Sequence, residues 1–161
     1  MKESLSQYIE SYTKQLESGN VSKGYKGLME YMMNLRTHFI NQYPTEFIIG
    51  TFYQGYMDLS YFPITPKSLK NQKLKIGLVF NHEKIRFEVW LLGQNKQVQK
   101  KYWDLFNGSD WNKYVVSKNA QDSVIEHILV ETPNFSQMDS LTEKIETRTI
   151  KFIKDISDVL A

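Results

Sequence analysis

Leu74-Lys75-Ile76-Gly77-Leu78-Val79-Phe80-Asn81-His82-Glu83-Lys84-Ile85-Arg86-Phe87-Glu88-Val89-Trp90-Leu91 is the stretch that decides the fold. Successive side chains of a strand point to opposite faces, so Leu74, Ile76, Leu78 and Phe80 fall on one side. After the polar turn Asn81-His82-Glu83, the residues Ile85, Phe87, Val89 and Leu91 repeat the alternation. The stretch therefore predicts an antiparallel hairpin with those eight residues on its core face. Lys75, Arg86, Glu88 and Trp90 are left on the other face.

Working toward the N-terminus, Phe47-Ile48-Ile49-Gly50-Thr51-Phe52-Tyr53 is rich in β-branched and aromatic residues and reads as a strand. Gln54-Gly55 supplies a tight turn, and Tyr56 to Phe62 forms the return strand of a second hairpin, with Asp58 and Ser60 sharing one face. Pro63 and Pro66 bound a loop, in which Thr65 caps a short helical turn through Leu69. Further upstream, Leu5, Tyr8, Ile9, Tyr12 and Leu16 recur at helical spacing and predict an amphipathic helix ending near Gly19. Val21, Tyr25, Leu28, Met32, Leu35 and Phe39 predict a longer second helix, with Ser22 as N-cap and an end before Pro44.

Toward the C-terminus, Gly93 closes the hairpin and Asn95 caps a helix whose stripe is Val98, Tyr102, Leu105 and Phe106, with Gly108 at its close. A short strand is expected within Trp111 to Val116. The spacing in residues 124–131 is mixed; Pro133 argues for a strand, and a helix stays open. Met138, Leu141, Ile145, Phe152, Ile156 and Leu160 predict a long final helix, with Asp139 or Ser140 near its start. Hairpins and helices do not alternate one to one, which disfavours a parallel doubly wound sheet. The expected fold is a single α+β domain over residues 1–161: an antiparallel meander of four to six strands packed against N-terminal, middle and C-terminal helices.

The 161 residues hold no cysteine, which removes disulfides, thiolate nucleophiles and cysteine-based metal sites. A reducing cytoplasm fits that composition. Lys and Arg number 20 against 18 Asp and Glu, so the net charge of +2 gives no strong field toward nucleic acid, and that partner ranks last. No run approaches the roughly 18 apolar residues of a membrane span, and the first residues lack the apolar core of a signal peptide.

The histidines, His38, His82 and His127, stand in different elements without metal-ligand spacing, so no metal or other cofactor is expected. His82 reads as a turn residue and His127 as an outward strand residue. No G-x-S-x-G elbow surrounds a serine, and Ser109 reads as a turn residue. Lys96 and Lys100, four apart on a helix, form a basic face beside Tyr102 and Trp103; a solvated surface is the ordinary reading. Arg86, Glu88 and Asp58 suit the holding of a polar ligand, against the plainer alternative of a cross-strand charge ladder with Lys75. Trp90, with Tyr53, Tyr56 and Tyr61, adds the aromatic share of a mixed ligand-site lining.

The strings Tyr53-Gln54-Gly55-Tyr56-Met57-Asp58, Phe80-Asn81-His82, Arg86-Phe87-Glu88-Val89-Trp90-Leu91 and Lys100-Lys101-Tyr102-Trp103 give the chain its family likeness. It resembles a small family of uncharacterised bacterial proteins of about this length, known as a domain of unknown function. The resemblance implies a bacterial, cytoplasmic α+β domain and supplies no reaction. The leading expectation is a binding domain for a small polar ligand at Tyr53, Asp58, Tyr61, Arg86, Glu88 and Trp90. The rivals are an enzyme with a carboxylate base on that outer face, and a homodimeric interaction scaffold built on the first two helices.

Overall fold

A computed structural model describes residues 2–161. The chain divides into two compact units, one ending at Asn34 and the other running from Leu35 to Ala161. The first unit holds α1 (Leu5–Leu16) and the beginning of α2 (Asn20–Gln42). Ser4 and Gln7 start α1 as a capping box: the Ser4 hydroxyl accepts from the Gln7 backbone N–H, and the Gln7 side chain accepts from the Ser4 backbone. The expected apolar stripe is present, yet Leu5, Tyr8, Ile9 and Tyr12 are all exposed. The second helix starts at Asn20, two residues before the expected cap, so Ser22 lies inside it.

The second unit is built on one five-stranded antiparallel sheet in the order β1 (Phe47–Ile49), β2 (Leu59–Pro66), β3 (Leu74–Asn81), β4 (Arg86–Gly93), β5 (Ile125–Val130). It is the expected meander. The segment read two ways is a strand. Three helices complete the unit: α3 (Lys67–Lys70), α4 (Lys96–Asn107) and α5 (Met138–Leu160).

The deciding hairpin has the expected register, with Ile76 opposite Leu91, Leu78 opposite Val89 and Phe80 opposite Phe87. Those six side chains are at most 1% exposed, and burial on this scale stabilises by about 1.5–3 kcal/mol per large apolar residue. Ile85 departs from the expectation. It sits in the hairpin loop with φ 51° and is exposed, because the loop after Asn81 ends one residue later than the alternation suggests. Phe62 and Ile64 of β2 join the same core face, and Phe62 meets Phe39 near the end of α2. Phe152 of α5 stacks on His127 of β5 at an interplanar angle of 5°, and the ring series Phe106, Trp111, Tyr114 and Phe152 ties α4 to α5.

The prolines mark the largest correction. Pro63 and Pro66 were expected in a loop but lie inside β2, while the preceding strand shrinks to Phe47–Ile49 plus a bridge between Tyr53 and Tyr61. Pro63 accepts from Gly50 N–H, so its missing donor faces the same way, toward Gly50 where β1 has ended. The Gly50 carbonyl, which an ordinary residue at 63 would have satisfied, instead accepts from Arg36 Nε at 2.7 Å. A Cβ at position 50 would lie 2.4 Å from the Pro63 ring, so the glycine is required by this contact.

Other local differences have similar causes. Thr65 is a strand residue and does not cap α3, whose N-cap is Pro66 without a side-chain bond. The segment from Trp111 to Val116 is a loop with a single bridge, Val116 to Ile125, held by ring packing rather than by a ladder. In α4, Asn95 caps as expected, accepting from Val98 N–H, but Leu105 is exposed and Gln99 is buried in its place. Gln99 accepts from Gly93 N–H and donates to the carbonyls of Ala120 and Gln121, stapling the strand end to a distant loop. Helix α5 begins at Met138 with Gln137 at the N-cap, and Asp139 and Ser140 lie in its first turn, near the start as expected. Among the described residues no helix is long and apolar enough to cross a membrane.

Candidate functional site

Strand register builds a row of outward-facing side chains. Tyr61 is opposite Val79 and Val79 opposite Glu88, and Glu88 in turn faces Ile128; the next row runs from Pro63 through Gly77 and Trp90 to Glu126. Five of the expected site residues, Tyr53, Tyr61, Arg86, Glu88 and Trp90, therefore belong to one face, with the Tyr53 and Tyr61 rings 5.2 Å apart at its edge. Asp58 does not join them. It precedes Leu59 in a loop, its register neighbour is His82, and its alternation is that of Ser60 on the core side. Backbone N–H groups of Tyr56 and Leu59 bond the Asp58 carboxylate and hold its pKa below the usual range.

Glu88 organises the face. Its side chain is only 4% exposed, and its two oxygens accept three N–H donors: Asn81 Nδ2 at 3.0 Å and Arg86 Nε at 2.8 Å on Oε2, and Trp90 Nε1 at 2.8 Å on Oε1. A buried carboxylate is tolerated only when so satisfied. Arg86 reaches on with Nη1 to Glu131 at 3.3 Å, and its pKa is raised chiefly by the bond to Glu88. The result is a guanidinium and an indole fixed in orientation by one anion. This is a polar platform, and the occupied oxygens of Glu88 leave it poorly placed to take a proton from a substrate.

Sequence reasoning missed Glu126 on this face. A β-bulge at Phe87/Glu88 skips Leu129 in the pairing, and strand β5 presents Glu126 outward opposite Trp90 while His127 turns inward. Burial raises the Glu126 pKa, and the Glu88 charge adds to that rise; the Ser123 hydroxyl, which donates to Oε1 at 3.1 Å, works against it. His127 is accordingly corrected from an outward residue to a packed one: it lies between Tyr114 and Phe152, and burial holds its pKa down. The alternation was legible, but its phase was not.

Elsewhere, polar clusters serve the packing. Ser60 Oγ lies 2.7 Å from His82 Nε2, a pair suggestive of a nucleophile and base. The serine is fully buried, however, and donates its proton to the Gln54 carbonyl, so His82 must be the donor to Oγ. Glu146 of α5 ties His38 at 2.6 Å and Tyr43 at 2.8 Å to one carboxylate, and the Tyr43 hydroxyl is pushed up to about 12, first by burial and then by that bond. Asp155 accepts from Lys113, Lys151 and Tyr114, and these bonds hold it well below the carboxylate range. The basic face of α4 is also engaged: Lys100 pairs with Asp104 at 3.0 Å and Lys96 donates to the Gln121 carbonyl. Among the described residues no group of three or more His, Asp or Glu side chains is placed to hold a metal ion.

A family described as a domain of unknown function, DUF7000, matches residues 5–160. The chain belongs to the DUF7000 family. Its match spans both compact units and every strand and helix described above, so the α+β meander and the Glu88 platform both fall within the DUF7000 region. No curated protein matches the chain, and no solved structure does.

Proposed function

We propose that this DUF7000 chain is a binding domain for a small polar ligand, working in a bacterial cytoplasm, with its site on the outer sheet face around Tyr53, Tyr61, Arg86, Glu88 and Trp90. The observation that carries the reading is the buried Glu88 carboxylate, whose three N–H partners lock Arg86 and Trp90 before any ligand arrives. Preorganised side chains bind without a large ordering cost. Arg86 uses Nε on Glu88 and Nη1 on Glu131, which leaves further guanidinium N–H donors for a ligand acceptor. Trp90 and Tyr61, both half-buried, flank Gly77 and offer aromatic surface beside that charge. Glu126, whose pKa burial raises, adds a carboxylate to the same face opposite Trp90.

An enzymatic use of this face has weaker support, because Glu88 is saturated and Asp58 lies elsewhere. A thermal-shift screen of metabolites against the full chain tests the binding reading. A ligand at a hundred times its dissociation constant adds about 2.7 kcal/mol, a shift of several degrees. The shift is expected to vanish in Arg86→Ala and Trp90→Ala while both variants remain folded. A shift that persists in both places the ligand off this face.

A further inference from the structure

A second feature of the same unit lies beyond the aromatic platform. A cavity of about 330 Å³ opens beside β1 and β2 where β3 begins, and three lysines, Lys70, Lys73 and Lys75, line it. That volume falls at the lower end of the range for small-molecule sites. Ile48, Pro63 and Leu74 contribute apolar lining, and Thr65 and Gln94 add a hydroxyl and an amide. We propose that this cavity binds a multiply charged oxyanion group, such as the phosphates of a small metabolite, through the three ammonium groups.

Three arguments converge. First, the charge is uncompensated. Among the described residues Lys70, Lys73 and Lys75 have no carboxylate within ion-pair distance, as holds for most lysines of the chain, and what sets these three apart is that they line one hollow. In a chain of net charge +2, three unpaired cations around one hollow form a local excess that an anion would relieve. Second, the backbone gathers them. Lys73 N–H donates to the Lys70 carbonyl, closing the turn after α3, and Gln94 N–H donates to the Lys73 carbonyl, fastening that turn to the end of β4. Lys75 follows two residues later, on the outward side of β3 beside Pro63 and Thr65. Third, Lys73 adopts φ 58°, a left-handed conformation that is strained for a side-chain-bearing residue and that glycine adopts freely. A lysine at that position is unfavourable for the fold and useful for a charge.

The plain alternative is three solvated lysines at a loop corner. Calorimetric titration of the full chain with inorganic pyrophosphate at low ionic strength separates the two. Lys73→Gly removes one ammonium while relieving the left-handed strain, so this variant is expected to melt at the same temperature as the parent or higher. Its affinity for pyrophosphate is expected to fall about tenfold or more, as is that of Lys75→Gln, the usual loss for one charge-assisted contact. Trp90→Ala is expected to bind pyrophosphate like the parent. The proposal is overturned if the parent shows no binding up to millimolar pyrophosphate, or if both lysine variants bind unchanged. Binding that survives the lysine changes but disappears in Arg86→Ala also overturns it, and would assign the anion to the outer-face platform. Loss at the lysines alone supports the cavity whatever becomes of the platform.

Discussion

A single buried carboxylate shows how much one residue can organise. Glu88 was legible as an outward strand residue beside Arg86 and Trp90, because the three lie two apart on one strand and must share a face. Its burial was not legible, since only the neighbouring side chains cover it. Removing it strands three donors at once: the Trp90 indole N–H, the Asn81 amide and a guanidinium whose side chain is only 22% exposed. Glu88→Ala is therefore expected to lower stability by about 2–3 kcal/mol, near the cost of breaking a buried charge pair. Urea denaturation checks this, read as a fall in midpoint at constant slope. A change within about 0.5 kcal/mol, the usual range for surface substitutions, would show that water replaces the lost partner.

Elements are set by where backbone donors can find partners. Residues 47–53 have the composition of one continuous strand, yet the ladder stops at Ile49 because Pro63 cannot donate to Gly50. Arg36 takes over that carbonyl, and Gly50 lets the proline ring approach. Sequence periodicity cannot report this arrangement, since the pairing joins positions 13 residues apart and an arginine from α2. Gly50→Ala is expected to lose about 1–3 kcal/mol through the overlap with the Pro63 ring, within the usual range for overpacking. A thermal melt of the variant tests it, and an unchanged midpoint would mean that the ring moves aside. The same strand end forms one wall of the lysine-lined cavity, so the element that departs most from its sequence reading also shapes that hollow.

At the scale of the whole molecule, the burial of two histidines shapes how stability follows pH. His82 and His127 are both held below the ordinary histidine pKa of 6.5 mainly by burial, so the folded chain resists protonating them. The unfolded chain protonates near 6.5 and binds more protons just below that value, so stability is full above it and falls as the pH drops through the folded pKa values. Asp155 acts in the same direction at lower pH, its depressed pKa stabilising above 3.8 and failing below. The melting temperature is accordingly expected to decline between pH 7.5 and 5.5, a window set by the histidine reference value near 6.5. His127→Phe, a ring between Tyr114 and Phe152 that cannot be charged, is expected to flatten that decline. An identical slope in the variant would place the titrating group elsewhere.

The sequence by itself determined the antiparallel meander, the core hairpin and its face, the long helices, and the company of Arg86, Glu88 and Trp90. Each of these follows from short-range periodicity: a period of two for the strands and of three to four for the helices, with residues two apart on a strand sharing a side. Only the tertiary structure decided the rest. It took Pro63 into a strand, turned His127 inward and Glu126 outward, buried Gln99 in place of Leu105, separated Asp58 from the platform, and brought Lys70, Lys73 and Lys75 around one cavity. These outcomes depend on the phase of a strand, the partner of an orphan carbonyl or the meeting of three chain segments. All are long-range matters of packing and hydrogen-bond satisfaction, which no local pattern of residues encodes.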